Sequence, residues 1–193
     1  MSFQSISNTI GQYIALTPEE KDFLISSLVV QRLKQGEFLE HAGDSATHLT
    51  YVNTGCLMTY YTDTSGNDHV LQFATSGWWT GDLTCYIKST PNHYSTKALA
   101  DSEVLLLTKV GMETLLEKYP KFERYFRIIF QNSLITHQER ILQGFSSAAD
   151  ERYQYFLEKY PTLEQYVPLK YIASYLGITP EFLSKIRRKL MEK

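Results

Sequence analysis

VPLKYIASYLGITPEFLSKIRRKLMEK, Val167 to Lys193, decides the reading of this chain. Leu169, Ile172, Ala173 and Leu176 recur at i, i+3, i+4 and i+7, one face of a helix. Gly177 permits a tight corner, because glycine alone enters positive φ at little cost. Thr179 is a natural N-cap and Pro180 a natural first helical residue. At ~100° per residue, the helix they open gathers Leu183, Ile186 and Leu190 on one side. Glu181, Ser184, Lys185 and Arg188 gather on the other. An apolar back with a Glu/Ser/Lys/Arg front suits the helix that a helix-turn-helix lays in the DNA major groove. An amphipathic terminal hairpin with a merely solvated charged face fits the same pattern.

The whole chain has 193 residues, a net charge of −2 and 43% hydrophobic residues. That composition is globular, with room for one large domain or a medium and a small one. No apolar run approaches the ~18–20 residues of a membrane span. MSFQSISNTIGQYIA lacks the basic and apolar regions of a signal peptide. A cytoplasmic protein without a membrane partner is the expectation. Cys56 and Cys85 make no disulfide framework and are expected as reduced thiols. Net charge does not advertise nucleic-acid binding, but its distribution does. Lys185, Arg187, Arg188, Lys189 and Lys193 face only Glu192 over the last nine residues. A preference of cations for a helix C-terminus explains Arg187 to Lys189 equally well, though not the corner before them.

Ahead of that segment the texture changes twice. Thr17-Pro18-Glu19-Glu20 caps a helix whose inner face is Phe23, Leu24 and Leu28. From Val29 to Thr108, short β-rich runs follow one another: Leu49–Asn53, Cys56–Thr62, His69–Phe73 and Val104–Thr108. Asp63-Thr-Ser-Gly66-Asn67 is a hairpin turn signal. Short strands at close spacing predict a β-barrel or β-roll. From Lys109 onward the pattern is helical, with Pro120 opening a long helix to about Gly144. Tyr125, Ile128, Asn132, Ile135, Glu139 and Leu142 form one stripe on it; Phe126, Phe130, Leu134 and Ile141 form a second. One stripe can cover the chain's own barrel and the heptad stripe can meet a twin helix, although a core helix in a monomer also fits. Gly144–Ser147 reads as a break and hinge, with Ser147 and Asp150 capping the next helix to about Tyr160.

The order of these parts resembles the Crp/Fnr family of bacterial transcription regulators along nearly the full chain. Leu33–Tyr61 looks like that family's opening strands, with Gly36, Gly43-Asp44 and Val52–Gly55 at its turns. Gly77-Trp-Trp-Thr-Gly81-Asp82-Leu83 sits where the family has its phosphate-binding cassette. Thr179–Lys185 sits where it has its recognition segment. The resemblance implies an α+β fold: an N-terminal double-stranded β-helix (a jelly-roll-like β-roll), a long dimerisation helix and a small all-α helix-turn-helix domain. It implies residues 1–118 as a cyclic-nucleotide-binding-like sensor domain, 119–145 as the dimerisation helix and 146–193 as the DNA-binding domain. It further implies a homodimer, with double-stranded DNA and RNA polymerase as partners.

Departures from the family pattern bear on mechanism. The cassette acid is Asp82, one methylene shorter than the family's Glu, and the phosphate-binding Arg is replaced by Tyr94, followed by Ser95 and Thr96. Burying a phosphate charge without a cation is costly. The expectation is therefore no useful cAMP binding and no cofactor. Gly81, Asp82, Leu83, Tyr94, Ser95, Thr96 and His137 would line a pocket for another small effector, or one filled by Trp78, Trp79, Tyr86 and Tyr94. For DNA readout, Glu181 can accept from a cytosine amine and Lys185 can donate to guanine. Ser184 shares that front, Arg188 reaches a base or a phosphate, Thr179 caps the helix, and Lys170 and Tyr171 can clamp the backbone. The family's β-hairpin wing has no counterpart before Lys193. Two rival readings stand beside this one. One is a ligand-binding or protein-interaction module whose DNA binding has decayed. The other is a cupin-like metalloenzyme, which would need a His-x-His that the scattered His41, His48, His69, His93 and His137 do not supply. No nucleophile triad, P-loop or dinucleotide fingerprint occurs, so no catalysis and no metal are expected.

Overall fold

The β-rich middle of the chain pairs into two four-stranded sheets, ordered β1-β8-β3-β6 and β2-β7-β4-β5. The strands are β1 (Leu28–Leu33), β2 (Phe38–Glu40), β3 (His48–Thr54), β4 (Cys56–Thr62), β5 (Asp68–Thr75), β6 (Trp79–Thr80), β7 (Ser95–Ala98) and β8 (Ser102–Thr108). These come from a computed structural model that describes residues 3–45, 47–165 and 167–191. The fold is the α+β class expected, an antiparallel β-roll followed by a long helix and a helical C-terminal part. The chain divides into two compact units. One runs up to Tyr61 and includes Gln72–Phe130; the other comprises Thr62–Leu71 and the residues from Gln131 onward.

In the first unit, α1 (Gln4–Gly11), α2 (Pro18–Ser26), α4 (Lys109–Lys118) and the start of α5 (Lys121–Ser146) contribute to one apolar core. Ile6, Ile10, Leu24, Leu105, Leu115 and Phe122 are fully buried in it. Tyr51 is buried too, and its hydroxyl is satisfied by Thr9 Oγ1 at 2.8 Å and Ser5 Oγ at 3.1 Å. Trp79 Nε1 donates to the Tyr125 hydroxyl at 2.8 Å, so strand β6 and helix α5 share a half-buried polar tie. The Thr17 capping box on α2 forms as the sequence predicts: Glu20 N donates to Thr17 Oγ1 and Thr17 N to Glu20 Oε2. Leu28, expected on that helix's inner face, instead opens strand β1 opposite Leu107, because α2 stops at Ser26.

The second unit holds the rest of α5, then α6 (Ala149–Lys159), a short 3-10 turn (Leu163–Gln165), α7 (Leu169–Leu176) and α8 (Pro180–Met191). Tyr153, Phe156, Leu163, Ile172, Leu176, Leu183 and Ile186 are buried in it. The tip of the β4–β5 hairpin belongs to this unit. Its turn forms as expected: Asp63 Oδ1 accepts from Ser65 N and Asn67 N. Ser174 on α7 donates to Asp68 O at 2.7 Å and accepts from Val70 N at 3.0 Å. Arg140 on α5 donates to Leu71 O at 2.5 Å, and to Val70 O and Tyr175 O at 2.9 Å each. Its guanidinium lies 4.1 Å from the Tyr175 ring centroid.

Two boundaries differ from the sequence reading. Helix α5 continues through Gly144 to Ser146 instead of breaking at Gly144. The N-cap position of α6 is Ala148, not Ser147. An alanine side chain cannot accept a hydrogen bond, so only the reciprocal half of a capping box forms, Ala148 N donating to Glu151 Oε2 at 2.9 Å. The two stripes of α5 also divide by length more than by face. Tyr125 and Phe126, which open them, are both buried, while Leu134, Ile135, Ile141 and Leu142 are exposed.

Gly55, between β3 and β4, has φ +94°, and a Cβ placed there would stand 2.2 Å from Ser102 Oγ and 2.6 Å from Asp101 O. Both the backbone conformation and the space require glycine. Gly55→Ala should destabilise the chain by ~3 kcal/mol, measured as a lower urea midpoint at unchanged m-value.

Candidate functional site

Helices α7 and α8 form the corner that the C-terminal sequence predicts. Gly177 takes φ +66°, ψ +36°. Its N–H donates to Ser174 O at 3.1 Å, and Ile178 N to Ala173 O at 3.0 Å, the paired bonds of a Schellman ending. Thr179 Oγ1 then accepts from Phe182 N at 3.2 Å, capping α8, and Pro180 stands in its first turn. Leu183 and Ile186 hold the helix inward and Leu190 is half-buried.

Glu181, Ser184, Lys185 and Arg188 all point to solvent on the opposite face. Among the described residues no ion pair engages Lys185 or Arg188. Backbone N–H at the helix start and the Thr179 hydroxyl hold the Glu181 carboxyl below its ordinary range. Ser184 Oγ donates to Pro180 O at 2.9 Å, within its own helix. Lys170 is exposed on α7, its ammonium 4.8 Å from the Tyr171 ring centroid. Arg187, counted in the basic patch from sequence, turns away: it is half-buried and lies 3.5 Å from Glu164, which also accepts from the Tyr153 hydroxyl. Lys193 and Glu192, counted in the same patch, lie outside the described residues. Phe182, which the sequence reading did not single out, is 49% exposed in the first turn of α8. An aromatic at that offset from Leu183 was the available signal.

The cassette-like segment belongs to the first unit. Asp82 is buried and caps α3 (Leu83–Lys88), Oδ1 accepting from Thr84 N at 2.9 Å and Cys85 N at 3.1 Å. Oδ2 accepts from His93 N at 2.9 Å and lies 3.2 Å from His93 Nδ1. Burial works to raise its pKa, but the bonds from His93 and Cys85 outweigh it and keep the carboxyl below its ordinary value. Ser95 Oγ accepts from Ala42 N at 3.0 Å. Thr96 is buried in a hydroxyl chain with Thr59 at 3.0 Å, which continues to Thr80 at 3.2 Å. Tyr94 is half-buried beside the His93 ring, Leu83 is exposed, and Gly81 has φ +146°. Lys97, whose direction the sequence leaves open, places its ammonium 5.0 Å from the Tyr60 ring centroid. His137 is exposed in the second unit, its Nδ1 2.8 Å from Ser133 O on its own helix. Among the described residues, no three His, Cys, Asp or Glu side chains gather to hold a metal. Nor is any helix among them long and apolar enough to cross a membrane.

A cyclic nucleotide-binding domain matches residues 30–119. A protein from Lacticaseibacillus casei described as probable transcriptional regulator flp is 27% identical over 164 residues, covering 78% of this chain and 71% of its own. The chain therefore carries a cyclic nucleotide-binding domain and is similar to a transcriptional regulator over most of its length. FixK2 from Bradyrhizobium japonicum superposes with a TM-score of 0.74 at 19% identity, over 86% of this chain and 85% of its own. A putative Crp/Fnr-family regulator from Eubacterium rectale superposes with a TM-score of 0.70 at 18% identity, over 95% and 88%. At those identities the two structures speak for the fold. Asp82 thus both caps α3 and binds His93 within the chain.

Asp82→Ala should cost ~1–2 kcal/mol of stability at pH 7 by removing the cap and the His93 bonds. The folded pKa is depressed, so the stabilisation is complete above the unfolded carboxylate value near ~3.9 and fades as pH falls through the folded one. The gap between the two proteins, followed by chemical denaturation, should therefore narrow below pH ~4.

Proposed function

We propose that this protein is a homodimeric, sequence-specific DNA-binding regulator of transcription that does not respond to cAMP. The observation that carries the reading is the α8 face, on which Lys185 and Arg188 are exposed and unpaired by any described ion pair, with Glu181 and Ser184 beside them. Cations in this setting can donate to guanine or to phosphate, and Glu181 can accept from cytosine. Lys170, at the start of α7, would add a phosphate contact, and Thr179 fixes the start of the reading helix through its cap. Residues 146–193 would serve as the DNA-binding part, 119–145 as the dimerisation helix and 1–118 as the sensor-like part.

Dimerisation is supported by the exposed apolar side chains of α5: Leu134 at 59%, Ile135 at 51%, Ile141 at 60% and Leu142 at 64%. A contiguous apolar helix face of this kind is covered by a partner more often than by water. A twofold dimer would set two α8 helices about one helical turn of DNA apart, ~34 Å. The silence toward cAMP is supported by Asp82, whose oxygens are engaged within the protein, and by Tyr94 standing where a phosphate would need a cation. RNA polymerase is a further partner of this reading, and the cytoplasm its setting.

Selection from a random duplex library should enrich an inverted repeat with half-sites ~10 bp apart centre to centre. The double variant Lys185→Ala/Arg188→Ala should bind it about a hundredfold more weakly, since two charged donors are removed. No enrichment at low salt would overturn the regulator reading and favour a module that no longer reads DNA. A second expectation concerns the ligand. Adding cAMP should leave DNA affinity unchanged in fluorescence anisotropy and give no saturable heat in calorimetry; a saturable response in either would refute it.

A further inference from the structure

A cavity within the second unit has no role in the mechanism above. It measures about 190 Å³ and is walled by the C-terminal half of α5, by α6 and by the end of α7. That is below the ~300–1,000 Å³ of drug-sized sites, so an occupant would be small. Three cations line it, Arg140, Arg152 and Lys159, together with the rings of Tyr155, Tyr160 and Tyr175. No carboxylate among the described residues lines it. Glu139 stands behind the wall, accepting from the Tyr155 hydroxyl at 3.1 Å, and the charge of Glu158 also acts on that tyrosine.

The cations are not equivalent. Arg140 is engaged by three backbone carbonyls and the Tyr175 ring. Arg152 uses Nη1 on Ser147 O, while its Nε is buried with no hydrogen-bond partner among the described residues. A buried guanidinium N–H left unmade costs free energy, and an acceptor brought to it recovers that cost. Lys159 lies 5.8 Å and 5.9 Å from the Tyr155 and Tyr160 ring centroids. Burial lowers its pKa, and so does the charge of Arg140, against a raising effect of Glu139. Positive charge has thus been gathered against aromatic walls without enough negative charge to match it.

We propose that this cavity binds a small organic anion, a phosphate or carboxylate group carried on a flat apolar body. The anionic oxygens would pair with Arg152 and Lys159, and the body would lie against the tyrosine rings. An occupant would brace Ser174–Gly177, the last turn before the corner that sets α8. That it tunes DNA binding rests on the regulator reading; that it binds does not.

The test is calorimetry and ligand-detected NMR on the full chain without DNA, using four probes. Phenyl phosphate carries both features with a phosphate, phenylacetate carries both with a carboxylate, inorganic phosphate carries charge alone, and phenol carries the ring alone. Phenyl phosphate or phenylacetate should bind saturably and at least tenfold more tightly than phosphate or phenol, and which of the two wins names the anionic group. Arg152→Gln/Lys159→Gln should weaken the better probe about tenfold or more. Gln143→Trp, which keeps the charges and fills the cavity, should also abolish binding; it keeps the test open if the double variant fails to fold. Lys118→Gln in the first unit is the control and should change nothing. Binding that survives both cavity variants, or no saturable binding of either two-feature probe, would overturn the proposal.

Discussion

One guanidinium without a carboxylate organises the helical unit. Arg140 donates to the carbonyls of Val70, Leu71 and Tyr175 and stacks on the Tyr175 ring. Tyr175 lies in the last turn of α7, where helix carbonyls lack an intrahelical donor. Val70 and Leu71 bring the carbonyls of the hairpin tip to the same group. A single side chain therefore satisfies acceptors from segments far apart in sequence, and Ser174 adds a donor and an acceptor to the same hairpin. An arginine suits this role because its planar fork offers several N–H groups in fixed directions, which an ammonium does not. Burial lowers its pKa, yet a guanidinium stays charged at any relevant pH, so these contacts persist where a histidine's would not.

The first unit shows the same economy with opposite sign. Asp82 is buried, and its two oxygens serve α3 and the backbone of the loop that returns at His93. A carboxylate that accepts this many N–H bonds stabilises the loop and is poorly placed to receive a ligand hydroxyl as well. Ser95 and Thr96 are similarly occupied, by Ala42 N and by Thr59. The polar groups of this segment are engaged within the protein.

Much of this was legible in the sequence where one local rule dominates. Gly177, Thr179 and Pro180 each have a single cheap conformation at a helix corner, and the Schellman bonds and Thr179 cap follow from them. The Thr17/Glu20 capping box and the Asp63 turn were legible for the same reason. Strands β1, β2, β6 and β7 were not. Leu28–Leu33 has buried ends with exposed or half-buried residues between them, so period-two alternation is absent, and Trp79–Thr80 is too short for any pattern. Helix α3 lay hidden in a β-rich stretch, betrayed only by Asp82 as a cap. The roles of Arg140, Arg152 and Arg187 depend on partners 5 to 70 positions away, and no spacing rule reaches that far.

The distribution of charge on α8 separates affinity from recognition. Arg187 is spent on Glu164 and so braces α8 against the turn at Leu163–Gln165. That leaves Lys185, Arg188 and Lys189 exposed on the described part of the helix, with Glu181 among them. A cation that binds phosphate raises affinity for all sequences alike, whereas a carboxylate near bases penalises every site that offers it no donor. On a chain with net charge −2, long-range attraction to DNA is weak, so the DNA binding we propose would come from contacts close to the groove. Few cations, one selective acid and the exposed ring of Phe182, which can lie against a thymine methyl, describe a surface poor in general affinity. Such a surface becomes useful when two copies bind together, because the second contact is then made at high effective concentration. In the proposed dimer, the exposed apolar length of α5 and the sparse charge of α8 would be two sides of one requirement.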